Sequence, residues 1–240
     1  VAKEYKSNFN KNDYKKNDRT EFSVNKNQDE NYIGIDTQIT LNLFENLKYD
    51  LKSIRLGQSV KPIYLTKLPK DLKKIKSTNK RKETFIKIVM PLILIENEKI
   101  IEDRSKLFKI LGKQSNTMGE KVWLKRRFKD YDIKGEDISE LKLRMDIIPT
   151  SIAIAQAAKE SGWGTSRFAL EGNAMYGQWT WDGDGIEPSQ KDKKKEHKIL
   201  KFPKLQSSVS AYMKNLNTHR GYSEFRKERS KIREKNKISI

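Results

Sequence analysis

The chain has 240 residues, with 51 Lys and Arg against 32 Asp and Glu, no Cys and two His. The missing cysteines exclude disulfides and thiolate metal sites, and two histidines leave little for a histidine-based centre, so no metal and no cofactor is expected. The net charge of +19 attracts polyanions, but lysine supplies 39 of the 51 cations and no recognition helix, zinc finger or RNP-like strand accompanies them, so no specific nucleic acid is expected.

Residues 1–30 are rich in Lys, Asn and Asp without a sustained period and read as a flexible basic tail. A helical extension follows over 31–135, and a second domain over 136–240. In the extension, Leu41, Leu43, Phe44, Leu47 and Leu51 recur at helical spacing and predict one amphipathic helix over about 40–54. Phe85, Val89, Ile93, Ile100, Leu107 and Leu111 share a stripe that predicts a long helix over about 79–113, kinked or divided at Pro91, which removes a backbone donor. Further helices are predicted over about 117–131, which holds Val122, Trp123 and Phe128 and whose aromatics read as core packing, and over about 137–144. The longest apolar run, Ile88 to Ile95, is far short of the ~20 residues that cross a bilayer, so a soluble chain is expected. It starts at Val1, which is compatible with an upstream signal or anchor that has been removed, and so with export.

Pro149 and the small apolar run from Ser151 to Ala158 predict a helix buried on most sides and stopped by Gly162 and Gly164. Thr165 or Ser166 can cap the next helix, which ends near Gly172. The period then changes from helical to alternating. Trp179 to Trp181, the turn from Asp182 to Gly185, and Ile186 with Glu187 predict strand, tight turn and strand, and His197 to Phe202 a third strand. Helices over about 207–217 and 222–235 complete a mainly α chain with a small β-hairpin lobe. Asp182 and Asp184 lack the rest of a calcium-loop pattern and read as a turn, and Lys191 to Lys198 reads as a solvated charge run.

Glu160 ends the apolar helix. Burial and the negative end of the helix dipole both disfavour its charged form, so both predict a raised pKa, which lets a carboxyl hold a proton for a leaving oxygen. The alternative is a helix-end carboxylate paired with Lys159 or Arg167. Trp163, Tyr176, Trp179, Trp181 and Tyr222 crowd the same third of the chain, and flat rings interleaved with Asn173 and Gln178 suit a sugar-binding cleft. Trp163, between two glycines, can instead be a core wedge.

Ile148-Pro149, Ala155-Gln156-Ala157, the run from Glu160 to Ala169, Gly172-Asn173, Tyr176-Gly177-Gln178-Trp179 and Asn217-Thr218-His219 together resemble the Bax-like branch of the glucosaminidase family, glycoside hydrolase family 73. The close match runs over about 147–226, and a looser one reaches back through Tyr64-Leu65, Leu68-Pro69 and Pro91 to Leu94. The resemblance implies a lysozyme-like α+β domain that cleaves the β-1,4 bond after N-acetylglucosamine in peptidoglycan glycan strands. It also implies an exported protein of the periplasm or cell envelope, and a monomer is expected. Its catalytic acid falls on Glu160 and its active-site tyrosine on Tyr222. Asn173, Tyr176, Gln178, Trp179 and Trp181 are the expected substrate-binding residues, with the hydroxyl of Tyr176 not required. The positive charge suits electrostatic contact with anionic wall or a membrane surface.

The second catalytic group is open. Family members place a second acid, where they have one, in the β lobe. Glu187 is the first choice and Glu196 the second, and the sugar's own acetamido group can replace both. Two other readings stand beside this one. A lysozyme, lytic transglycosylase or amidase would cut a different bond in the same polymer, and a non-catalytic wall-binding or scaffold protein would cut none.

Overall fold

The computed structural model describes residues 36–180, 185–187 and 198–235. The basic tail, the Asp182 to Asp184 turn, Trp181, Glu196 and most of the Lys191 to Lys198 run lie outside the described residues. Where one helix is expected over 40–54 there are two, α1 (Thr37–Asn46) and α2 (Leu51–Arg55). Lys48, at φ 49°, turns the chain out of the first helix. The Asp50 carboxylate then accepts from the Ser53 amide at 2.8 Å and starts the second. The apolar stripe continues across the break because Phe44, Leu51 and Ile54 all enter one core.

A 3-10 turn at Leu72–Lys74 leads to α3 (Thr78–Leu111). Pro91 does not divide this helix. Its neighbours Ile88, Val89, Leu92 and Ile93 are at most 1% exposed, so tertiary packing holds the turn that has lost a backbone donor. Next come α4 (Met118–Asp130), opened by a reciprocal capping box between Thr117 and Glu120, and α5 (Ile138–Arg144), capped by Asp137. Phe128 is buried, as expected of a packing aromatic.

The second half contains α6 (Thr150–Ser161), α7 (Arg167–Gly172), three short strands, α8 (Leu205–Thr218) and α9 (Ser223–Lys235). Of the two candidate caps for α7, Ser166 fills the role, its hydroxyl accepting from the Ala169 amide. The strands are β1 (Trp179–Thr180), β2 (Gly185–Ile186) and β3 (Lys198–Leu200), in the order β1-β3-β2 and antiparallel. This corrects the expected hairpin of β1 with β2, since β3 lies between them. Gly185 shows why. A Cβ there would stand 2.4 Å from the Lys198 Cβ, so glycine permits β2 to close on β3.

The expectation of an α6 buried on most sides is also corrected. Ala153, Ala157, Ala158 and Ser161 are buried, but Ile152, Ala155, Gln156, Lys159 and Glu160 are exposed. The apolar run is one of small residues, and small residues allow close packing of one face without requiring burial of the other. α3 packs against both α6 and α8. It also fixes the start of α6, because the buried Asn97 amide donates to the Ile148 carbonyl at 2.8 Å and accepts from its amide at 3.0 Å. The main core joins Phe44, Leu68 and Phe85 to Ala157, Tyr176, Val209 and Leu216, while Leu107, Phe128, Leu141 and Met145 form a second, smaller core. The mainly helical body with a small sheet is the expected lysozyme-like arrangement.

Candidate active site

Glu160 sits one residue before the end of α6, and the turn behind it is built by Ser161. The buried Ser161 hydroxyl donates to the Ala157 carbonyl at 2.5 Å and accepts from the Gly164 amide at 2.9 Å, while its carbonyl accepts from the Thr165 and Ser166 amides. Gly162, Trp163 and Gly164 follow with φ of 58°, 58° and 76°. Three successive left-handed residues are tolerable for glycine but strained for tryptophan. Trp163 is held there by an edge contact to Phe85, with centroids 6.0 Å apart, and by the Lys82 ammonium 5.0 Å from its ring. A Cβ on Gly164 would stand 2.8 Å from Phe85 and 3.1 Å from Leu68. Trp163 is therefore the wedge that seats the turn on α3.

Glu160 itself is exposed, which corrects the burial expected of it. No hydrogen bond or ion pair ties it to another described residue, and the expected alternatives, Lys159 and Arg167, do not hold it. Arg167 reaches Glu171 at 3.8 Å and the Glu187 carbonyl at 2.5 Å instead. The loop after α7 comes up to the carboxylate through Gly177, at φ 59°, where a Cβ would lie 3.5 Å from the Glu160 Oε2.

Beside Gly177, Tyr176 stacks on Tyr212 of α8, with ring centroids 3.9 Å apart and planes within 5°. The Tyr212 hydroxyl donates to Gln156 Oε1, one turn before Glu160 on α6. Burial pushes the pKa of both tyrosines up, with the neighbouring phenol a lesser cause in each case, Tyr212 for Tyr176 and Tyr222 for Tyr212. Glu160, Gln156, Tyr176, Tyr212 and Tyr222 thus belong to one neighbourhood. Gln156 and Tyr212 have no assigned role in the sequence reading. The signal for Tyr212 is its place with Val209, Met213 and Leu216 on the buried face of α8.

Asn173 adopts φ 53° at the end of α7, and its amide donates to the Phe202 carbonyl at 2.9 Å. Asn173 Oδ1, the Tyr176 hydroxyl and Gln178 Oε1 are buried without a hydrogen-bond partner among the described residues. Three such atoms within six residues are costly to a fold. Trp179 is 53% exposed on β1. Glu187, also exposed, follows β2, so β3 lies between it and Trp179. Trp181 and Glu196 are outside the described residues. Among the described residues no group of three or more His, Cys, Asp and Glu could hold a metal.

Tyr222 is positioned from behind. It ends the 3-10 turn Arg220–Tyr222, its ring 6.1 Å from His219. The buried Arg226 guanidinium donates to the Leu216 and His219 carbonyls, both at 2.9 Å, and so clamps the end of α8 to that turn. Arg229 does the same for the segment before α6, donating to the Asp146, Ile147 and Leu143 carbonyls.

Residues 135–238 match the family model described as mannosyl-glycoprotein endo-beta-N-acetylglucosaminidase. The chain is 37% identical over 169 residues to Protein bax of Escherichia coli (strain K12), an alignment covering 68% of this chain and 60% of that protein. The chain thus spans about 60% of the length of the curated relative it matches. No solved structure gives a significant match. The matched region takes in Glu160, the loop from Asn173 to Trp179, the sheet and Tyr222 together, and on these grounds the chain belongs to the glucosaminidase family, in its Bax-like branch.

Proposed function

We propose that the chain is a peptidoglycan hydrolase that cleaves the β-1,4 bond after N-acetylglucosamine, with Glu160 as general acid. The observation that carries this reading is Glu160 itself: an exposed carboxylate without a structural partner, on a rigid turn, in a glycoside-hydrolase family domain. Such a group has no role in folding. A glycan lying over it would exclude water and bring the glycosidic oxygen to the carboxyl that gives up its proton. In this reading the loop from Asn173 to Gln178 binds the sugar's polar groups, and the exposed Trp179 offers a flat face to a ring. Tyr222 acts on the same side, held by the Arg226 clamp. Glu187 in the β lobe, or the substrate's own acetamido group, completes the reaction. The protein acts in the cell envelope, where this polymer is found.

The deciding experiment is a digest of purified peptidoglycan with identification of the new ends. N-acetylglucosamine at the new reducing ends is the expected result. Muramic acid there, or freed peptide stems without new sugar ends, would overturn the proposed bond. Retention on the wall with no released fragment would favour a binding protein.

A further inference from the structure

The positive charge is unevenly placed. From Lys48 to Lys87 the chain carries thirteen Lys and Arg against three Asp and Glu, so these forty residues hold ten of the nineteen net charges. Two of the three carboxylates are occupied locally, Asp50 by the Ser53 amide and hydroxyl and Asp71 by the Thr37 amide and hydroxyl. This region runs into the start of α3 and shares its core.

Within it, α2 has an unusual outer face. Leu51 and Ile54 enter the core, while Lys52, Arg55 and Leu56, at i, i+3 and i+4, share the opposite side. Leu56 is 88% exposed, the most exposed large apolar side chain among the described residues. It stands immediately before Gly57, whose φ of 101° turns the chain away. Leu47, at the end of α1, and Tyr64 are each 41% exposed in the same basic region. Lys48 follows Leu47 and is also exposed.

A cationic surface that serves only a soluble polyanion gains nothing from a projecting leucine. One that lies on a bilayer uses both, since lysines and arginines attract anionic headgroups and an apolar tip enters the acyl boundary. We propose that α2 and the turns flanking it dock on an anionic phospholipid surface, with Leu56 inserted and Lys48, Lys52 and Arg55 on the lipid phosphates. The contact is peripheral. No described helix is long and apolar enough to cross a membrane. Because α3 packs on both this region and α6, docking would hold the Glu160 turn in fixed relation to the membrane. The inference does not rest on the proposed activity, because binding is measured without it.

The test is co-sedimentation of the full 240-residue chain with vesicles of phosphatidylglycerol and phosphatidylcholine, and with phosphatidylcholine alone. The chain should partition to the first and not to the second, and Lys52→Glu with Arg55→Glu should remove partition. Leu56→Ser should weaken it roughly tenfold, as loss of a buried leucine side chain implies. Leu56→Trp should match or exceed the wild type, which a misfolded variant could not do. Equal partition of Leu56→Ser and wild type would overturn the proposal in favour of charge alone, as for a soluble phosphate polymer. No binding to anionic vesicles, or equal binding to neutral ones, would also overturn it.

Discussion

Asp146, just before α6, and Glu160, in its last turn, stand in opposite surroundings. Asp146 is 2% exposed, and Arg233 reaches both of its carboxylate oxygens while Arg229 lies 3.7 Å from one. Its backbone carbonyl also accepts from Asn217 and Arg229. Burial pushes the Arg229 guanidinium down to about 10 even though Asp146 pulls the other way. Glu160 has none of this. One carboxylate is consumed by folding, and a buried ion pair of that kind is kept intact because losing one partner strands the other. The other carboxylate is left over from folding, and a group left over on a rigid turn is free to act on something outside the protein.

Substitutions can break that contrast. The largest expected effect is on Glu160→Gln, which should lower release of soluble peptidoglycan fragments by ~10²–10⁴ with an unchanged melting curve. Asp146→Ala should reverse the pattern, costing about 3–5 kcal/mol in a denaturant titration because buried arginines lose their counter-charge. Any loss of activity in that variant should track unfolding. Matching profiles for these two variants would erase the distinction.

Smaller effects sharpen it. Gly164→Ala is expected to cost about 1–3 kcal/mol, since its Cβ would meet Phe85 and its φ disfavours any side chain. Because this strain falls on the turn that carries Glu160, turnover should fall more than stability alone explains, which kcat measured below the melting transition would show. Tyr176→Phe should raise stability by about 1 kcal/mol, because it removes a buried hydroxyl without a partner. Thermal melting checks this, and a loss of stability there would mean that the hydroxyl is part of the fold after all.

Much of the local structure is legible in the sequence because its causes are local. The helix expected from about 117 does start there, Ser166, one of two candidate caps, caps α7, and Gly162 ends α6 in the left-handed region. The stripe from Phe85 to Leu107 identifies α3. The break at Lys48 is harder to read, since an apolar stripe looks the same across one helix or two that share a core. The sheet order is not legible at all: Gly185 reads equally well as the end of a tight turn and as a close contact with β3.

The arginines show the same limit. Arg104, Arg144, Arg226, Arg229 and Arg233 gather around Asp146 and the nearby carbonyls, yet in sequence each looks like part of a solvated charged helix. The sequence also suggests a buried Glu160, because a run of small apolar residues resembles a buried helix. The structure exposes that carboxylate and buries Ser161 beside it.

The sequence by itself determined most of the helices, though not the break between α1 and α2, and also which turn follows Glu160 and which family the motif run resembles, because capping, periodicity and glycine conformations act over a few residues. Tertiary structure alone decided that β3 lies between β1 and β2, that Tyr176 stacks on Tyr212 and through it reaches Gln156, and that Asp146 is enclosed while Glu160 is open. Those outcomes depend on which distant surfaces exclude water from one another, and residues far apart in the chain carry no local record of that choice.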